Sequence, residues 1–191
     1  MGMRTWAALA ATGLLVAGCT VGPGASTTGP DASTPPPGTA TATRAAPSAP
    51  LTVPGYAYTD PGDVCGRFAA ALYSADTTTD TGPVDAARRA AGYTDAALAA
   101  QLITASRDGR WQTWLAHLAR VQADVSAYVE EEQPPDDSAS AYRAVRVAAT
   151  PIGADGWRGW TQTSIVYCTL GRLDTQWRVT GYTLAPPAGA P

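Results

Sequence analysis

Lysine and asparagine are missing from this sequence altogether, so every basic side chain is an arginine. Both absent residues use AT-rich codons, and the mutational bias of a GC-rich genome accounts for their loss without any functional message. Histidine occurs once, at His117, and cysteine three times, at Cys19, Cys65 and Cys168. Residues so few and so scattered cannot furnish a zinc shell at recognisable spacing, so neither a metal nor a cofactor is expected. Acidic residues outnumber basic ones by 16 to 13, and no basic stripe is present, which excludes nucleic acid as a direct partner. There is no phosphate-cradling glycine loop, no pair of carboxylates at a telling spacing, and no nucleophile elbow around Ser74, Ser106, Ser126 or Ser164. A Ser-His-Asp triad would have to run through His117, where nothing nearby supports it. The composition therefore points away from an enzyme.

The N-terminal eighteen residues have the three parts of a secretory signal: Arg4, an apolar stretch from Trp6 to Val16, and small residues leading to Cys19. The apolar stretch is shorter than the ~20 residues that span a bilayer. Val16-Ala17-Gly18-Cys19 resembles a bacterial lipobox. That resemblance implies a diacylated Cys19 as the mature N-terminus and a domain held at the outer face of the cytoplasmic membrane by lipid. Two acyl chains suffice for this, because each buried methylene contributes ~0.8 kcal/mol while one chain alone holds only marginally. From Thr20 to about Pro54 the chain is almost entirely Thr, Ser, Pro, Gly and Ala with two charges, Asp31 and Arg44, and it has no apolar periodicity. It reads as a disordered, semi-extended tether able to reach roughly 100 Å. The folded domain is expected over 55–185 and a frayed tail over 186–191.

If Cys19 is lipidated, Cys65 and Cys168 remain. An even remainder in an oxidising compartment points to a disulfide, with two separate buried thiols as the alternative. Closing a loop of about 100 residues stabilises by up to ~4.7 kcal/mol in the chain-entropy model.

Within the domain, Asp60-Pro61 marks a helix start. Val64, Phe68, Ala71, Leu72 and Ala75 share one helical face. A second helix is predicted from Pro83 to about Ala91. A third is predicted with Thr94 as N-cap and Leu98, Leu102 and Ile103 inward. A short fourth should carry Trp111, Trp114, Leu115 and Leu118 on one side. The period then changes to two. Val121 to Val129, Tyr142 to Thr150, Thr161 to Leu170 and Gln176 to Leu184 read as strands, the last two joined by a hairpin at Gly171–Thr175. Glu130-Glu131-Glu132 reads as a solvated hairpin tip. Helices followed by three or four antiparallel strands describe an α+β domain, with the helices packed on one face of a curved sheet.

With helix Asp63–Leu72, the Trp111-x-x-Trp114-Leu115 pair and the closing Gln176-Trp-Arg-Val-Thr-Gly-Tyr182 strand, the domain resembles the NTF2-like, cone-shaped superfamily. More narrowly it is similar to lipoproteins and VirB8-like proteins encoded near actinobacterial conjugation genes. The resemblance implies a binding or assembly module of a cell-envelope complex with a protein partner there. Alternatively the cone holds a small ligand or, third, an isomerase or dehydratase site. Trp114, His117, Tyr142 and Tyr167 are the candidate pocket residues, with Asp124 a weaker one. Trp157 and Trp160, flanking the Arg158-Gly159 turn, are the candidate partner surface.

Overall fold

Asp60 caps the first helix as its sequence requires, its carboxylate accepting from the backbone N–H of Asp63 at 2.7 Å with Pro61 at the first helical position. In this computed structural model, residues 49–105, 108–129 and 133–186 are described. Cys19, the signal, the tether up to 48, the Glu130–Glu132 tip and the tail beyond 186 lie outside them. The elements are α1 (Pro61–Tyr73), β1 (Ala75–Asp76), α2 (Val84–Ala91), α3 (Ala96–Ala105), α4 (Trp111–Ala116), β2 (Arg120–Tyr128), β3 (Ser140–Ile152), β4 (Gln162–Leu173) and β5 (Gln176–Ala185).

The domain is α+β, as expected. Its sheet holds five strands among the described residues rather than three or four. They form a curled antiparallel half-barrel in the order β1-β2-β3-β4-β5. The extra strand, β1, is only two residues long and pairs Ala75 with Val121 and Asp76 with Arg120. A sequence period cannot show in two residues, and the stretch read as the helix end and loop conceals it.

Inward positions of the sheet follow the alternation. Ala141, Val145 and Val147 of β3 and Val166, Cys168 and Leu170 of β4 are buried with Val64, Cys65 and Phe68 of α1, while Ala149 of β3 is buried with Trp111, Trp114 and Val121. Cys65 and Cys168 are joined in a disulfide that ties α1 to β4 across 103 positions of sequence. In β5 the alternation breaks. Val179 opposes Leu170 and Gly181 opposes Thr169, leaving Thr180 as the extra residue of a bulge. Trp177 and Val179 before the bulge and Tyr182 after it thus all join the core side. The β4–β5 connection is tighter than the five residues expected. Leu173 pairs with Gln176, so the loop is Asp174-Thr175, with Asp174 in the left-handed region at φ 56°.

Three local expectations change. The α3 cap is Asp95, whose carboxylate accepts from Leu98 N–H, while Thr94 forms an isolated bridge with Val179 of β5. Helix α4 buries Trp111 and Trp114 but leaves Leu115 and Leu118 exposed, because it is six residues long and Leu118, at φ 48°, turns the chain at once into β2. The inward face of β2 loses cover toward its end, where Val129 is exposed, because an open groove of about 500 Å³ separates it from α1.

Candidate functional site

Helix α4 is too short to be stable by propensity and is held by its two tryptophans, which lie three positions apart and so share a face. That face closes one side of a cavity of about 280 Å³, lined by α1 to α4 and by β1 to β5. Leu72, Leu102, Trp111, Trp114, Val121 and Leu184 supply the apolar wall. The polar residues in the wall are Tyr73, Ser74, Asp80, Asp108, Arg110, Gln162 and Tyr182, the Ser74 hydroxyl donating to the Ala71 carbonyl.

Each charged group there is already matched. Arg110 donates from Nε and Nη2 to the two oxygens of Asp108, at 2.9 and 2.6 Å, its Nη1 reaches Gln162, and its guanidinium stacks over Trp114 at 4.8 Å. Burial pushes the Asp108 carboxyl up, but hydrogen bonds from the Arg110 side chain and backbone outweigh it and leave it below the ordinary carboxylate range. The same hydrogen bond raises Arg110 against the opposing effect of burial. Asp80 is held bidentately by Arg89 and also accepts from the backbone N–H of Asp76. Burial raises the Tyr182 phenol above its usual value, and its ring packs edge-on against Phe68. Tyr73 differs from all of these. Its hydroxyl is buried and has no hydrogen-bond partner among the described residues, a state that costs about 1–3 kcal/mol.

The four residues expected to share a pocket do not converge. Trp114 lines the cavity. His117 caps α4 outside it, its Nδ1 2.8 Å from Asp155 Oδ2 and its ring stacked on Trp157 at 4.3 Å. Asp155 is pulled below the ordinary range by that histidine first and by the Trp157 N–H second. Gly153 permits this arrangement, since a Cβ there would lie 2.5 Å from Asp155 Oδ1 and 2.9 Å from His117 Cβ. Tyr142 and Tyr167 line a separate groove of about 340 Å³ with Gln133 and Pro134. Asp124 is exposed on β2 opposite Ala148. The two tryptophans of the candidate partner surface part company as well: Trp157 is half-buried under His117, whereas Trp160 is 90% exposed.

Sequence reading missed Tyr73, Asp108, Arg110 and Gln162. The only signal for them was position: Arg110 directly precedes the tryptophan pair, and Tyr73 ends the first amphipathic helix. No group of three or more potential metal-ligating side chains occurs among the described residues, and none of their helices is long and apolar enough to cross a membrane. Comparison with protein-family models, with curated proteins and with solved structures returns no match to this chain.

Proposed function

We propose that this chain is an exported lipoprotein, acylated at Cys19, whose domain is an NTF2-like binding module that takes a small molecule in the cavity beneath its helices. The observation that carries this reading is the cavity itself, with an apolar wall, a pair of tryptophans and one uncommitted hydroxyl at Tyr73. A volume of about 280 Å³ sits just below the ~300–1,000 Å³ typical of ligand pockets. Catalysis is not part of the proposal, since the single histidine lies outside the cavity and is engaged by Asp155. Filling the cavity tests the reading. Ala87 is buried in its wall, and Ala87→Leu should abolish ligand-induced changes in tryptophan fluorescence while circular dichroism stays that of the parent. Unchanged ligand response in a folded Ala87→Leu protein would sink it. Metabolic labelling with a fatty-acid analogue tests the anchor, and label should vanish in Cys19→Ser.

A second reading rests on Trp160. A fully presented indole on the β3–β4 loop suits a protein partner in the cell envelope, such as a conjugation-related assembly. Crosslinking from position 160 in intact cells distinguishes the two, since a ligand-binding role needs no specific crosslink there.

A further inference from the structure

Resting on the cavity as the binding site, we infer that it selects an uncharged, fragment-sized, largely apolar molecule carrying one hydrogen-bonding group, and that it discriminates against both anions and cations. The basis is charge balance. Asp80, Asp108 and Arg110 are the charged side chains of the wall, and each has its opposite charge within hydrogen-bond distance. An anion approaching the remaining N–H donors of Arg110 meets a guanidinium whose charge Asp108 already cancels, and it sits beside that carboxylate, itself 2.6 Å from the same guanidinium. A cation faces the same difficulty at Asp80, whose charge Arg89 already cancels, which also accepts from the Asp76 N–H, and whose side chain is 8% exposed. Bringing in an unpaired charge is far more costly than bringing in a neutral group that finds one hydrogen bond.

The fully buried polar atom of the wall that lacks a partner, the Tyr73 hydroxyl, is neutral. The Tyr73 hydroxyl is covered by the wall in this structure; once a side-chain shift uncovers it, the phenol can donate or accept, so a hydroxyl, carbonyl or amide on the ligand pairs with it equally well. The rest of the wall offers flat indole and aliphatic surface from Trp111, Trp114, Leu72 and Leu102. That surface favours a planar ring over a branched or extended chain. The neighbouring Tyr182 phenol stays protonated, because burial holds its pKa up, and so it adds no charge.

The test uses the full chain and four probes of nearly equal shape: toluene, p-cresol, 4-methylbenzoate and 4-methylbenzylammonium. Binding is read from the indole N–H signals of Trp111 and Trp114 by NMR. The neutral pair should shift both signals, and each ion should bind at least about tenfold more weakly than p-cresol. In Tyr73→Phe, p-cresol should lose up to about tenfold in affinity while toluene is unaffected, the loss expected for a single hydrogen bond. Equal or tighter binding of either ion at these indoles overturns the neutral selectivity while leaving the cavity as the site. If toluene, p-cresol and the ions all leave Trp111 and Trp114 unmoved, the cavity reading itself fails. Equal weakening of toluene and p-cresol in Tyr73→Phe overturns the role of the hydroxyl.

Discussion

Arg178 is the largest side chain that the fold buries fully, and no carboxylate pairs with it among the described residues. Its charge is met instead by the carbonyl oxygens of Leu51 and Gly92, by Gln176 Oε1, and by the face of Tyr58 at 3.7 Å. Leu51 and Val53, expected in the tether, are therefore bound to the domain, Val53 also donating its N–H to the Tyr58 hydroxyl. Arg178→Ala should lower stability by about 3 kcal/mol in urea unfolding, since it bares two carbonyls and removes charge-assisted bonds. It should also open the segment before Tyr58 to protease. A stability unchanged by this substitution would mean that water replaces the guanidinium without loss. Asp85 gives a pH signature at the same scale. The Thr81 hydroxyl and N–H, followed by Arg88, hold its pKa down at about 2. That lies below the unfolded value of about 3.9, so its stabilising effect is complete above it and fades as pH falls toward 2. The gap in urea midpoint between the parent and Asp85→Asn should accordingly narrow between about pH 4 and 2.

Among the elements, α1 and the sheet are joined twice, by packing and by the Cys65–Cys168 bridge. Replacing both cysteines by alanine should cost roughly 2–5 kcal/mol, because the loop that the bridge closes in the unfolded chain is long. Denaturation with and without reductant would show the loss in the parent and none in the double variant. The β3–β4 loop is organised by contacts between elements: His117 at the end of α4 stacks on Trp157 and holds Asp155. Gly153→Ala should break this contact, with the indole signal of Trp157 as reporter, since the added carbon has no room.

For the molecule as a whole, the division between core and presented tryptophans is the sharpest contrast. Trp114→Ala should destabilise by about 3–5 kcal/mol. Trp160→Ala should stay within about 0.5 kcal/mol of the parent in the same urea titration, its ring being 90% in solvent. A large loss at Trp160 would mean that the loop supports the fold rather than presenting a surface. The sequence alone carries the α+β class, the Asp60-Pro61 helix start, four long strands and an even cysteine remainder that points to a bridge. Each is written in local signals, namely cap chemistry, period and an even count. What only tertiary structure decided is the two-residue β1, the bulge at Thr180 that brings Tyr182 to the core side, and the composition of the cavity. None of these has a local period. His117 and Trp114 are neighbours in sequence, yet the turn at Leu118 and the β3–β4 loop draw the histidine outward, while the curl of the sheet sets Tyr73, Arg110 and Gln162 around the tryptophans. Such convergence depends on how distant segments pack, and no stretch of sequence carries it alone.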